Sequence, residues 1–186
     1  GYSIIFTQAE KEELEKRMLE EGHQTFSLRP DTPRDEYQSI IYIAPIDERN
    51  LRAIGFDMSS EPNRKLAIDT ARDSGVYAVT GKVSLMQDTD TPGFLIYLPV
   101  YKSPSIPESL EERRQNIQGF IYSPFRANEF IKDVIKELSN KSITFKIYDE
   151  SLNENNLLAI GNAEEKASSS SFTEESRIEL NNRNWV

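Results

Sequence analysis

Three apolar runs separated by polar turns constrain the fold of this chain more than any other feature of its sequence. The runs cover Tyr77–Met86, Gly93–Lys102 and Ile117–Ser123. Their alternation and spacing are typical of consecutive strands of an antiparallel sheet. Gln87–Pro92 has the turn-forming composition expected between the first two strands. The sequence therefore predicts a sheet built largely from strands that are neighbours along the chain.

Helices and further strands are predicted on both sides of these runs. Thr7 and Glu10 have capping-box spacing at the start of a helix that Gly22 ends. The predicted helices cover residues 7–21, from 59 or 60 to 75, 108–116 and about 128–140, and further strands are predicted over 25–29, 39–44 and 143–149. The order predicts an α+β fold, an antiparallel sheet with flanking helices that resembles the PAS arrangement, followed by a second, smaller or truncated unit.

Composition excludes several classes of function. The chain has 22 basic and 31 acidic residues and a net charge of −9, which argues against a surface for nucleic-acid duplexes. It has no Cys, so thiol catalysis, disulfides and Cys-based metal sites are excluded. His23 is the single His, which excludes any site that needs two histidines within the chain. The apolar runs are far shorter than the roughly 20 residues of a membrane span. No cofactor or metal is predicted.

Several stretches resemble, in family order and spacing, a known sensory module. They are Asp35–Tyr37 with Ile40–Pro45, Ile54–Pro62, Ala71–Gly75, Pro92–Tyr101, and Arg113–Arg114 with Gly119–Ala127. Together they resemble the CHASE domain, the extracytoplasmic sensory module of bacterial and plant membrane receptors, over about residues 1–138.

The resemblance implies two PAS-like lobes preceded by a stalk helix and flanked by two transmembrane helices. Residues 1–127 would form the membrane-distal, ligand-sensing lobe, and residues 128–186 the connecting helix and part of the membrane-proximal lobe. Since the chain starts without an initiator Met and contains no stalk, we expect it to be a piece of a longer, membrane-anchored protein. That protein is expected to be a homodimer through its stalk and to carry a histidine kinase or cyclic-nucleotide enzyme as output domain, whereas this piece is expected not to be an enzyme.

Asp57 is the first candidate for binding a ligand. The resemblance matches it to the carboxylate that accepts hydrogen bonds from the purine ligand in the plant receptors. A carboxylate between Phe56 and Met58 would be partly desolvated, and it would favour a ligand rich in hydrogen-bond donors. The alternative is a capping role at the helix that follows.

The remaining candidate residues lie on the predicted strands. Val79 matches a position whose main chain meets the ligand in the plant receptors, and Thr80 follows it. Tyr97 stands where those receptors have a small threonine, so its ring would fill much of the cavity and favour a ligand that is smaller than a substituted purine. Four aromatic residues line the same cavity or belong to the plain core: Phe94, Phe56, Tyr42 and Tyr122.

Two other functions stay open at this level. A ligand-free dimerisation or interaction module would use Tyr97 and its neighbours as core. A carboxylate-based hydrolase is less favoured, because no nucleophile–base arrangement and no glycine-rich phosphate loop stands out. The main expectation is a sensing domain for a small molecule, adenine-like or smaller.

Overall fold

The structure, a computed structural model, describes residues 1–23, 26–85, 88–135, 144–161 and 172–186. Its helices are α1 (Lys11–Glu20), α2 (Glu48–Leu51), α3 (Pro62–Ser74), α4 (Leu110–Asn116) and α5 (Ala127–Ile135). Its strands are β1 (Tyr2–Thr7), β2 (Glu36–Tyr42), β3 (Ala78–Val79), β4 (Val83–Leu85), β5 (Asp88–Tyr101), β6 (Ile117–Arg126), β7 (Phe145–Tyr148), β8 (Leu157–Gly161), β9 (Ile178–Leu180) and β10 (Arg183–Trp185). Short 3-10 turns cover Gln8–Glu10, Met58–Ser60 and Glu154–Asn156. The predicted α+β class is confirmed.

The main sheet has six strands in the order β2-β1-β6-β5-β3, and β4 pairs with β5. β1 is antiparallel to both β2 and β6. Strand β1 was not predicted, because residues 2–7 carry too short an apolar pattern to distinguish a strand from the start of the helix that follows. Tyr2 pairs with Ile121, so only a partner far along the chain makes this segment a strand.

Two predicted strands are wrong in detail. Residues 26–29 form no strand; Phe26 and Leu28 are buried, but Arg29 alone makes an isolated bridge. Burial of alternate side chains therefore mimicked a strand pattern. The run from 77 to 85 is divided into β3 and β4 around Gly81, where a Cβ would lie 2.9 Å from Nη2 of Arg183. Residues 24, 25, 86 and 87 lie outside the described residues.

The helix boundaries follow local capping. The predicted capping box of Thr7 and Glu10 is confirmed, and it starts a 3-10 turn that leads into α1. Helix α3 is capped by Glu61, whose carboxylate accepts two main-chain N–H groups, so the predicted helix start at residue 59 or 60, with Ser59 or Ser60 as the cap, is wrong. Gly75 ends α3 at a φ of 78°, a left-handed conformation that favours glycine. For the last predicted helix, residues 136–140 lie outside the described residues.

The chain forms two compact units, and β5 and β6 contribute residues to both of them. The first unit contains residues 1–78 and 96–123, and the second contains residues 79–95 and 124–186. In the second unit, β7 pairs with β8 and β9 with β10. Phe94 is central to its core, with the ring of Phe125 stacked at 5.0 Å and that of Trp185 edge-on at 4.9 Å. The predicted division into lobes between residues 127 and 128 stays a prediction.

Candidate functional site

Asp57 is held by the short segment that precedes the 3-10 turn at Met58–Ser60. The main chain of this segment is hydrogen-bonded on two sides: the N–H of Asp57 donates to the carbonyl of Arg29, and the N–H of Ile40 in β2 donates to the carbonyl of Phe56. Gly55 has a φ of 84°, and a Cβ on it would lie 2.1 Å from the carbonyl oxygen of Ser27. Glycine is required there, and it fixes the approach of the chain to Asp57.

The carboxylate of Asp57 is fully buried, and its two oxygens are used unequally. Oδ1 accepts the main-chain N–H of Gln38 at 3.0 Å and that of Ser59 at 3.1 Å. Oδ2 lies 3.2 Å from Nη1 of Arg34 and has no hydrogen-bond partner. Asp57 therefore caps the short 3-10 turn and not α3, while one of its oxygens retains the capacity to accept a donor.

Burial raises the pKa of Asp57 above its usual value, because the desolvated site disfavours the charged form. The N–H of Gln38, the charge of Arg34 and the N–H of Ser59 act in the opposite direction. A ligand that donated a hydrogen bond to Oδ2 would stabilise the ionised form further. The arrangement thus suits a donor-bearing ligand.

A second group of side chains in the same unit, which we call the Arg64 cluster, consists of the buried residues Met58, Arg64, Tyr97 and Tyr122 and the half-buried Phe56. Tyr97 Oη and Arg64 Nη1 each donate to the sulfur of Met58, both at 3.2 Å. The guanidinium carbon lies 5.1 Å from the ring centre of Phe56, and the rings of Tyr97 and Tyr122 are 6.1 Å apart. Three predicted site residues (Phe56, Tyr97 and Tyr122) therefore meet around one buried cation.

The two tyrosines of this cluster are held in their neutral form. Burial raises the pKa of both Tyr97 and Tyr122 well above the usual value, while the positive charge of Arg64 acts in the opposite direction on each. The hydroxyl of Tyr122 is buried without a hydrogen-bond partner. Both hydroxyls therefore keep their protons at any physiological pH, and that of Tyr97 already donates to the sulfur of Met58.

Val79, Thr80 and Phe94 belong to the second unit, where the main chain of Val79 and the hydroxyl of Thr80 already have hydrogen-bond partners. The side-chain amide of Asn182 binds both main-chain groups of Val79: Oδ1 accepts its N–H at 2.7 Å, and Nδ2 donates to its carbonyl at 3.0 Å. The hydroxyl of Thr80 accepts the N–H of Leu95 at 2.9 Å. Any ligand that used the main chain of Val79 would have to displace Asn182.

Tyr42, the eighth predicted residue, lies at the end of β2 with 53% of its surface exposed. It is not among the residues of the Arg64 cluster. A surface groove of about 530 Å³ is also present in the first unit, and none of the predicted residues lines it; its lining is Asp69, Thr70, Asp73, Ser74, Leu110 and Arg113. Its polar groups bind one another, since Arg113 Nε donates to the carbonyl of Asp73 at 2.9 Å. We therefore interpret the groove as a helix–helix junction.

Sequence reasoning missed Arg64 and Asn182. The signal for Arg64 is its spacing from Ala67, Ile68 and Ala71, which places it on the buried face of α3. A charged residue on an apolar helix face is unusual, because burial of an arginine is costly without compensating interactions. No comparable signal exists for Asn182, since asparagine in a hairpin turn is ordinary.

The fold is α+β, with an antiparallel sheet and several buried polar side chains, and it is compatible with the PAS-like class of sensory domains. The family model described as CHASE domain matches residues 1–159, and the chain belongs to this family. CHASE domains are sensory, non-catalytic domains that form extracytoplasmic parts of membrane receptors. No curated protein matches the chain.

Among the described residues, no helix is long and apolar enough to cross a membrane. In the same ranges, no group of three or more acidic or histidine side chains could hold a metal ion.

Proposed function

We propose that this chain is the ligand-sensing part of a membrane receptor, and that it binds a small molecule through residues of the distal lobe. The observation that carries the proposal is the carboxylate of Asp57, which is fully buried and keeps one oxygen without a hydrogen-bond partner. A purely structural carboxylate would gain by using both oxygens. Family membership adds that the domain belongs to a class of sensory modules.

The proposed ligand contacts are the eight predicted residues, in two groups. Those of the first unit are Asp57, Phe56, Tyr97, Tyr122 and Tyr42, and those of the second are Val79, Thr80 and Phe94. The oxygen of Asp57 that lacks a hydrogen bond supports a ligand with adenine-like donors, and the buried ring of Tyr97, which limits the space, supports one smaller than a substituted purine. A ligand that bound the main chain of Val79 would replace the amide of Asn182 with an equivalent donor and acceptor.

Signalling would follow from a difference in ligand affinity between two conformations of the domain. We propose that residues 1–127 form the membrane-distal lobe and residues 128–186 part of a PAS-like proximal lobe. Flanking helices of the full receptor would transmit the change to a histidine kinase or cyclic-nucleotide enzyme, in a homodimer held by the stalk.

A thermal-melt screen against adenine derivatives, amino acids, small carboxylates and short peptides tests this proposal. A ligand at about 100 times its Kd adds roughly 2.7 kcal/mol to the free energy of unfolding, which raises Tm by several degrees. The response should disappear in Asp57→Ala and persist in Asp31→Ala, which removes an exposed carboxylate of the same unit. Binding that is unaffected by Asp57→Ala would contradict the proposed site.

The alternative is a ligand-free interaction module. The complete burial of Tyr97 favours it, because a side chain that already fills the core leaves no room for a ligand. This alternative predicts that no compound of the screen raises Tm. It also predicts that Tyr97→Thr only destabilises the domain, as expected for a cavity in the core.

A further inference from the structure

Arg34 lies against the second oxygen of Asp57 without completing its hydrogen bonding. The side chain of Asp57 is fully buried, whereas that of Arg34 is 30% exposed. Nη1 of Arg34 is 3.2 Å from Oδ2, yet Oδ2 accepts no hydrogen bond. Among the described residues, the guanidinium of Arg34 donates no hydrogen bond either, and only its main-chain N–H does so. Two opposite charges are therefore adjacent, and both retain hydrogen-bonding capacity.

The main chain that carries Arg34 is fixed by a buried tyrosine. The N–H of Arg34 donates to the hydroxyl of Tyr37 in β2 at 3.0 Å, and this hydroxyl donates to the side-chain oxygen of Gln8. One residue further along, the carbonyl of Asp35 accepts the N–H of Gln8 at 3.3 Å. Tyr37 is completely buried, so the segment in front of β2 presents the guanidinium to Asp57 from an anchored main chain.

The balance of charge at this pair determines which ligands it favours. A cationic ligand would be attracted by Asp57 and repelled by Arg34, and an anionic ligand would meet the reverse situation. A charged ligand would also lose its own hydration next to the buried carboxylate, which is costly. An uncharged ligand avoids both penalties, and it gains two charge-assisted hydrogen bonds if it donates to Oδ2 and accepts from the guanidinium.

We infer that Arg34 is a specificity-determining residue of the proposed ligand site, and that together with Asp57 it selects uncharged ligands in which a hydrogen-bond donor stands next to an acceptor. A primary amide has this edge, because its NH₂ group and its carbonyl oxygen are attached to one carbon. The amino group and the neighbouring ring nitrogen of adenine form the same kind of edge. This inference rests on the proposed sensing function and adds the acceptor that Arg34 requires.

Three ligands of nearly the same shape test this selection on the whole chain. 4-Fluorobenzamide presents a donor and an acceptor, 4-fluorobenzamidine is a cation with donors only, and 4-fluorobenzoate is an anion with acceptors only. Their affinities can be measured by ¹⁹F NMR of the ligand at constant ionic strength. The amide should bind at least about tenfold more tightly than the other two, the effect of one hydrogen bond to a charged group.

Variants of the pair should reverse the order of affinities in opposite directions. Arg34→Met leaves Asp57 without its counter-charge, so 4-fluorobenzamidine should become the tightest of the three ligands. Asp57→Asn leaves Arg34 as the only charge of the pair, so 4-fluorobenzoate should become the tightest. A residue with a merely structural role would weaken all three ligands alike. Should Arg34→Met fail to fold, Asp57→Asn still decides.

Arg49 provides the matched control, since it is an exposed arginine of α2 in the same unit. Arg49→Met should keep the order of affinities of the unmodified chain. Adenine distinguishes the two sources of the edge. Displacement of 4-fluorobenzamide by adenine would show that the pair recognises the edge in a ring as well, and a failure to displace it would assign the edge to open-chain amides.

The outcomes separate this inference from the proposed function. The inference would be overturned if either charged ligand bound the unmodified chain best, if the order stayed the same in both variants of the pair, or if neither the amide nor adenine bound. Sensing would still stand if another compound of the thermal-melt screen raised Tm and lost its effect in Asp57→Ala. If that screen is silent as well, the sensing proposal fails together with the inference.

Discussion

Among the side chains that the structure describes, each unit buries one aspartate, and the two aspartates differ in their hydrogen bonds. In the second unit, Asp149 binds the guanidinium of Arg183 with both oxygens and also accepts the N–H of Lys82 at 3.1 Å. In the first unit, Asp57 uses one oxygen for two main-chain N–H groups and leaves the other without a hydrogen bond. Asp149 therefore has hydrogen bonds to both oxygens, whereas the second oxygen of Asp57 has the charge of Arg34 nearby but no hydrogen bond.

The largest effect on stability is expected from breaking the ion pair between Asp149 and Arg183. Arg183→Met should lower the free energy of unfolding of the second unit by about 3–5 kcal/mol, because it leaves Asp149 buried without its counter-charge. Urea denaturation followed by the fluorescence of Trp185, the only Trp of the chain and a member of this unit, measures it. Lys146→Met, at an exposed ion pair in the same unit, should leave the midpoint unchanged. Equal midpoints for the two variants would refute the comparison.

A smaller effect on stability is expected from removing the side-chain amide of Asn182, which is hydrogen-bonded to Val79 in β3. Asn182→Ala should cost about 1–3 kcal/mol in the same fluorescence experiment, because the N–H and the carbonyl of Val79 both lose their partner. If Val79 binds the ligand, the variant should also bind adenine derivatives more tightly, since nothing then has to be displaced. Weaker binding of those compounds would show that Asn182 is part of the site.

Asp57, whose ionisation is governed by burial, should also differ in its pH dependence from Asp73, whose ionisation is governed by two arginines. The pKa of Asp57 is raised by burial, so its contribution to stability is greatest below the ordinary aspartate pKa and is lost as the pH rises through the folded value. The pKa of Asp73 is held far below its usual range by Arg114 and Arg72, so its contribution is present above the ordinary pKa and is lost as the pH falls.

Melting curves between about pH 2 and 6 provide the test. The difference between the unmodified chain and Asp57→Asn should shrink with rising pH, and the difference for Asp73→Asn should grow. Slopes of the same sign would mean that the burial of Asp57 does not dominate its ionisation.

The smallest effect is expected for an exposed pair on α3. Lys65 Nζ lies 2.7 Å from Oδ2 of Asp69, one helical turn away. Lys65→Met should change the free energy of unfolding by only about 0.3–0.5 kcal/mol, because solvent screens such a pair. Measured by urea denaturation, this variant gives the baseline for the buried groups; a cost above about 1 kcal/mol would show that surface charges matter more here than burial suggests.

Local signals made part of the fold predictable. The capping box of Thr7 and Glu10, the short helix before β6 and the three apolar runs all depend on residues that are close in sequence. Strand β1 could not be predicted, since its partners lie about 40 and 120 residues away. Gly81, at the interruption between β3 and β4, likewise lies against Arg183, which is distant along the chain.

Only part of the candidate site could be predicted from the sequence. The importance of Asp57 came from family resemblance, and its burial is now observed. Arg64 was missed because charged residues usually lie on the exposed face of a helix, whereas its spacing places it on the buried face of α3. The bond from Asn182 to Val79 spans 103 positions, and no pattern in the sequence indicates it.

The position of β1 has a consequence for how the protein is made. Tyr2–Thr7 leaves the ribosome before the other strands of this sheet, yet Tyr2 finds its partner on β6 only when Ile121 is available. Until then the pair of β1 and β2 exposes an open edge of main-chain N–H and carbonyl groups, which is a template for pairing with other chains. Completion of the sheet must wait for more than half of the chain, so the first unit depends on slow, non-local closure and on protection of the emerging chain.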